Sequence, residues 1–213
     1  MNVDLLILLA AWLAYFGLHS LLAALPVKRW VAKHRAHWMP GYRLMFNSVA
    51  VLAVMPVLWL THSIDAPSLW RWEGWQRWLA EGLALFAITG FLWSTRWYDG
   101  GEFLGLRQLR EGVRTVEDQE RLHISPLHRF VRHPWYSFGL VLIWTRELNA
   151  PWLLTAVAIS VYFVIGSRLE EAKLIEYHGE AYRRYRARVP ALIPLPWRWL
   201  SAREADDIAA GRD

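Results

Sequence analysis

The chain has 213 residues, of which 55% are hydrophobic and 15% aromatic, a net charge of +5 and no cysteine. The missing cysteine excludes disulfides, thiolate metal sites and cysteine nucleophiles. A mean hydropathy of +0.14, with the apolar residues in long blocks, argues against a soluble domain, and the pI near 9.7 does not point to nucleic acid. The cations instead cluster beside apolar runs, where they set topology and attract anionic headgroups. At this length one membrane-embedded bundle is expected rather than two domains.

In chain order, residues 5–25 read as a first span, retained rather than cleaved because no basic leader precedes it and no small-residue site ends it. His19 and Ser20 interrupt it. An ionisable residue at that depth is a functional candidate, or else a hydrogen-bond partner of Asn47 or Ser48. A polar stretch follows with Lys28, Arg29, Lys33, Arg35 and Arg43, then a second span over 44–60 that holds Pro56. The loop 61–77 is rich in tryptophan (Trp70, Trp72, Trp75) and carries Arg71 and Arg77. A third span covers 78–97, with Glu81 in its first turn. Five cations against two place the first loop in the cytoplasm and the N-terminus outside. The 15 tryptophans suit interfacial anchoring.

Residues 99–133 form a long polar segment containing Asp99, Glu102, Glu111, Glu117, Asp118 and Glu120. Gly100, Gly101, Gly105 and Gly112 predict a loop with short helices there. Two apolar runs, 135–145 and 152–166, fall short of the roughly 20 residues of a full crossing. Pro134 and Pro151 fit helix first turns, and Asn149 is a candidate cap. The expectation is a helical hairpin turning at 146–150, which returns Arg132 and His133 to the side of Arg168, Glu170 and Glu171. The second arm should continue to Tyr177, with Gly179 as its C-cap. A further helix over 180–188 should carry Tyr182 and Tyr185 on one face, extended by Val189. Pro190, Pro194 and Pro196 end regular structure, and the charged tail 201–213 is expected to be disordered. The fold class is therefore all-α, a polytopic membrane bundle of about five embedded helices. Its divisions would be 1–98 (three spans), 99–200 (loop, hairpin and catalytic segment) and 201–213 (tail).

The chemistry concentrates in Arg132, His133, Pro134, Trp135 and Tyr136. A proline-started helix leaves free N–H groups and a partial positive charge, so Arg129, Arg132 and His133 there make either an anion pocket or a headgroup anchor. Glu170 and Glu171 sit at the mouth of an apolar run and point about 100 degrees apart. One can pair with Arg132 while the other meets a hydroxyl, an amine or a positive centre; a simple bridge closing the hairpin is the plainer alternative. Tyr182 and Tyr185 could offer rings to a cation, or form the buried stripe of an amphipathic helix. His123, His128 and His133 recur every five residues, which does not align on a helix, so no metal is expected.

The run R-H-P-W-Y (132–136), the hairpin, E-E-A-K-L-I-E-Y-H-G-E-A-Y-R-R-Y (170–185), V-P (189–190) and I-P (193–194) resemble the isoprenylcysteine carboxyl methyltransferase family, which also includes phospholipid and thiol methyltransferases. The resemblance covers about 65 residues, 132 to 196. H-S at 19–20 and Y-R-L-M-F-N at 42–47 look like bacterial members. His178 departs from a position where the family more often has Phe. The resemblance implies an S-adenosylmethionine site at the cytoplasmic boundary. Its cofactor contacts would be His133, Tyr136, Glu170, Glu171, Tyr182 and Tyr185, and its catalytic pair Arg132 and Glu171. The acceptor would be a small or lipophilic molecule, and membrane lipid the surrounding partner. An NADPH-dependent reductase similar to sterol reductases is a rival, though such proteins typically lack the Glu pair, and a 2′-phosphate would call for more cations. A non-catalytic membrane accessory protein is a third reading.

Overall fold

The computed structural model describes residues 3–114, 116, 122 and 124–211. Glu117, Asp118, Glu120 and His123 lie outside the described residues. Among the described residues the regular structure is helical apart from one two-stranded ribbon and an isolated bridge between Leu195 and Arg198. Among the described residues four helical segments are long and apolar enough to cross a membrane, Val3–Ala23, Ala36–Ser63, Gly74–Trp97 and Ala150–Arg188, and Pro134–Trp144 is apolar but shorter. Their outward faces expose large apolar side chains, such as Leu52, Trp59 and Phe86, which only lipid can cover favourably. The protein is a polytopic helical membrane bundle. Contacts divide it into two compact units, residues 1–71, 98–118 and 147–159 in one, and 72–97, 119–146 and 160–213 in the other.

In the first unit, α1 (Val3–Ala23) and α3 (Met39–Ser63) pack against each other. Leu8, Trp12 and Val57 form their core, joined by Leu154 and Ala158. The Trp12 indole donates to Thr155 Oγ1 at 2.9 Å, Thr155 lies 3.2 Å from Thr61 Oγ1, and Thr61 donates to the Val57 carbonyl. Residues 25–34, expected to be a polar connection, instead form α2 (Leu25–His34). Pro26 occupies its first turn, where no N–H is needed, and Val31 packs with Met39 and Tyr42. The His19 ring lies 5.0 Å from that of Phe46. Asn47 and Arg43 donate to the Phe103 carbonyl at 3.0 and 3.3 Å.

The polar segment contains α5 (Gly100–Leu104) and α6 (Leu106–Glu111). Asp99 caps α5 by accepting from the N–H groups of Gly101 and Glu102, and the Glu102 and Gly101 bonds hold its carboxyl below the usual range. Gly105 ends α5 at φ 89°, and a Cβ there would lie 2.6 Å from the Leu44 nitrogen, so the site needs glycine. The loops read from sequence as irregular also contribute β1 (Ser68–Trp70) and β2 (Leu148–Asn149), an antiparallel pair whose backbone groups satisfy one another.

The second unit is built on α4 (Gly74–Ser94), α7 (Pro134–Trp144) and most of α8 (Ala150–Arg188). Trp135 donates to Ser94 Oγ at 2.7 Å, and Gly90 leaves room for the Phe138 ring, which a Cβ would approach to 2.6 Å. Pro134 opens α7, and the Asn149 side chain accepts from the Trp152 N–H and caps α8. As expected, the second arm continues past its apolar run and through Tyr177. It is part of a 39-residue helical run interrupted by Gly179 at φ 55° and ψ −126°. At about 1.5 Å per residue this exceeds the roughly 30 Å hydrocarbon core, so its C-terminal part must leave the bilayer. The tail, expected to be disordered, forms α9 (Ala202–Ala209) instead. Ser201 and Glu204 make a reciprocal capping box, and Ala205 and Ile208 pack on Tyr182, Tyr185, Val189 and Leu200. Charge and small residues alone understated that apolar face.

Candidate active site

The hairpin of the second unit runs antiparallel: Trp144 donates to Ser160, and further along Phe163 lies over Tyr136. This brings the start of α7 beside Glu170 and Glu171. Backbone bonds fix the approach to α7, with the N–H groups of Arg132 and His133 donating to the carbonyls of Pro190 and Ala191 at 2.9 and 3.0 Å. The V-P step after α8 is thus a clamp.

Arg132 and Glu171 are both buried, with side chains 9% and 6% exposed. Nε and Nη2 of Arg132 meet the same carboxylate oxygen at 2.8 and 2.7 Å. The remaining Nη1 donates to the Arg186 carbonyl at 3.0 Å and to the Val189 carbonyl. His133 bridges the two acids: Nε2 lies 3.1 Å from Glu171 and Nδ1 lies 3.4 Å from Glu170. A neutral imidazole donates from one nitrogen only, so this placement favours the imidazolium. Burial pulls the His133 pKa down, but the bonds to Glu170 and Glu171 and their charges outweigh it, and the pKa is raised above 6.5. With His133 charged, two cations face two anions, which keeps the buried cluster balanced.

Glu170 differs from its neighbour. Its side chain is 51% exposed, and its second contact is the Tyr136 hydroxyl, donating at 3.4 Å. Tyr136 stacks between His133 (5.3 Å, 11°) and Phe163 (4.6 Å, 6°). Gly139 permits the stack, because a Cβ there would crowd the Phe163 ring at 3.0 Å. Arg132, His133, Tyr136, Glu170 and Glu171 are therefore brought together. Tyr182 and Tyr185 are not at the exposed edge. They are 2% and 3% exposed and meet edge to face at 5.6 Å within the core. The Tyr182 hydroxyl interacts with Arg132, whereas Tyr185 donates to the His128 carbonyl at 2.6 Å. Among the described residues no group of three metal-binding side chains forms.

Sequence reasoning missed Arg186, whose Nε lies 3.8 Å from Glu171, and Phe163. Arg186 lies 15 positions beyond Glu171, across the Gly179 turn, so no local spacing signals it. Phe163 falls seven before Glu170, two helical turns, a spacing that could have exposed it.

The arrangement offers one accessible carboxylate on an aromatic wall, backed by a buried and balanced ion cluster. That donor set suits a polar ligand carrying hydroxyl or amine groups. No family model matches the chain, and no solved structure matches it. Curated relatives do. Methanethiol S-methyltransferase 2 of Bradyrhizobium diazoefficiens is 31% identical over 191 residues, covering 89% of this chain and 71% of that protein. Methanethiol S-methyltransferases of Pseudomonas deceptionensis and Mycobacterium tuberculosis are each 29% identical, covering 83% and 84% of this chain and 67% and 74% of their own lengths. Identity of 31% across most of both chains has one reading: the chain belongs to the isoprenylcysteine carboxyl methyltransferase-like family of integral membrane methyltransferases.

Proposed function

We propose that the methyl donor is S-adenosylmethionine and the acceptor a small thiol of the methanethiol class. The observation that carries the donor is the half-exposed Glu170 carboxylate on the His133, Tyr136 and Phe163 stack. Its free edge fits a ribose hydroxyl or an amine, and the ring faces fit a positive centre. When bound, the cofactor supplies a methyl group activated by its sulfonium. Glu170, Tyr136 and His133 would hold it directly. Arg132 and Glu171, spent on one another in the buried pair, act as positioning residues. Tyr182 contributes through Arg132, and Tyr185 through the packing beneath it. Methyl transfer to sulfur asks mainly for alignment and exclusion of water, which a rigid, charge-balanced floor favours. The thiol is supported by the relatives, whose names specify methanethiol.

Residues 99–200 are the catalytic segment in this reading, and the site opens to the cytoplasm of a bacterial inner membrane. Support comes from the five cations between residues 28 and 43. An Ala66→Cys variant should label from outside only, and labelling from the cytoplasm alone would reverse the orientation. For the activity, purified protein in detergent should bind S-adenosylhomocysteine and not NADPH by calorimetry. With S-adenosylmethionine it should convert methanethiol to dimethyl sulfide, followed in the headspace. Binding without turnover on any thiol would refute the acceptor; absence of binding would refute the donor.

A further inference from the structure

The segment after α8 is tied to the start of α7 at three successive residues. Pro190 and Ala191 accept from the N–H groups of Arg132 and His133, and Leu192 accepts from Ser137 Oγ at 2.6 Å. It must therefore lie level with the first turn of α7, an apolar helix of a membrane bundle. Beyond that anchor the chain turns its apolar side chains outward. Ile193 is 68% exposed, Trp197 75% and Trp199 46%, and Phe130, 46% exposed, stacks on Trp199 at 6.3 Å.

Part of this loop's backbone needs no water. In lipid an unsatisfied N–H costs several kcal/mol. Pro194 and Pro196 have none to satisfy. Arg198 donates its N–H to the Leu195 carbonyl and Leu200 donates to the Arg129 carbonyl, both at 3.0 Å. The cations remain at the base. Arg129 donates to the Leu200 carbonyl at 2.8 Å and Arg198 to the Ala187 carbonyl at 2.6 Å. An apolar tip of isoleucine, prolines and two tryptophans above a basic collar matches the headgroup boundary, where indole rings partition and cations meet phosphate.

We propose that residues 193–199, with Phe130, form a wedge inserted into the bilayer at the boundary between headgroups and acyl chains, on the rim of the candidate active site. The proposal commits to lipid rather than a protein partner for two reasons. The loop is hydrogen-bonded through residues 190–192 to the start of a membrane helix, and Pro194 and Pro196 offer no N–H to a protein partner. It rests on the membrane fold and not on the identity of donor or acceptor.

The absence of native cysteine makes the test direct. Ile193→Cys and Trp197→Cys, each carrying a nitroxide, are placed in vesicles of phosphatidylethanolamine and phosphatidylglycerol, and collisions with oxygen and with a water-soluble nickel chelate are measured. Arg203→Cys, on a side chain 94% exposed, is the aqueous control. Both loop positions should collide with oxygen several-fold more than with nickel, and the control should show the reverse. Nickel access equal to the control would overturn the proposal. Shielding from both probes would overturn it too, in favour of a partner protein or a second copy. Both loop side chains are exposed, so the substitutions remove no core packing, and either position alone decides the result.

Discussion

Each unit of the molecule buries a polar network, and the two are built differently. In the first unit the network is neutral. An indole, two hydroxyls and a backbone carbonyl pass hydrogen bonds along Trp12, Thr155, Thr61 and Val57, and all three side chains are at most 2% exposed. In the second unit the network is ionic, with Arg132, His133 and Glu171 buried, and it opens to solvent at Glu170. A closed neutral chain holds helices in register at little desolvation cost. Burying ions is expensive, and the open end at Glu170 leaves one charged group free to meet a ligand. Cost alone separates scaffold from site.

The largest effect should come from breaking the ionic network. Arg132→Ala leaves the buried Glu171 with His133 and the more distant, half-exposed Arg186, and strips donors from two backbone carbonyls. The loss should be about 3–5 kcal/mol of stability, measured by reversible unfolding in detergent. Arg132→Lys should recover little, because an ammonium cannot span carboxylate and carbonyls as a guanidinium fork does. A loss under about 1 kcal/mol, the range of exposed ion pairs, would erase the contrast between the two networks.

The open end is tested by separating the two acids. Glu170→Gln keeps the shape of a half-exposed group, so stability should change little. Affinity for S-adenosylhomocysteine should fall roughly tenfold to hundredfold, the equivalent of a charge-assisted bond of about 1.5–3 kcal/mol. Glu171→Gln should do the opposite in proportion, destabilising the fold more than it weakens binding directly. Calorimetry and unfolding on both variants decide this, and identical behaviour of the two would remove Glu170 from the binding edge. Tyr185→Phe, which deletes a hydroxyl bonded to the His128 carbonyl, should cost about 1 kcal/mol of stability and leave affinity unchanged.

The meeting of Arg132 with the acids was legible because any helical hairpin returns its ends to one side. Which acid it takes was not. Neighbouring residues on a helix diverge by about 100 degrees, and the choice is made by how the two arms face each other, with Phe163 lying on Tyr136 and Glu171 on the buried side. The fate of the tyrosine pair depends on α9, which covers them. That helix was hidden by the charged composition of the tail, although the capping box at Ser201 and Glu204 is written in the sequence. The helix α2 was obscured in the same way by its cations. Strands of two and three residues carry no readable period, so β1 and β2 left no signal.

The charge state of His133 supplies a pH-dependent comparison. Its folded pKa is raised above 6.5, first against burial and then by Glu170 and Glu171. A raised basic pKa means that its stabilising contribution is full below the unfolded value of about 6.5. The contribution is lost as pH rises through the folded value. The stability difference between the parent and His133→Gln should therefore shrink with rising pH above neutrality. A difference that grows with pH would mean that the folded cluster holds no extra proton and that the His133 pKa is lowered rather than raised. The neutral network of the first unit predicts no such dependence for Thr155→Val.

The smallest effect tests that neutral network by its own strength. Trp12 meets Thr155 at 2.9 Å, and Thr155 meets Thr61 at 3.2 Å. Interhelical hydrogen bonds in membranes average about 0.6 kcal/mol, because chains unfolded within lipid also find partners. Thr155→Val preserves shape while deleting both contacts, and Trp12→Phe removes the donor together with part of the indole's packing. A double-mutant cycle on this pair should return a coupling near that average, with the Thr155→Val loss itself below about 2 kcal/mol. The cycle is needed because Trp12 also packs with Leu8 and Val57, and its substitution mixes a cavity with the lost bond. A coupling of several kcal/mol, comparable to Arg132→Ala, would mean that closed and open networks carry equal weight, and that the ionic character of the second cluster marks stability rather than a site.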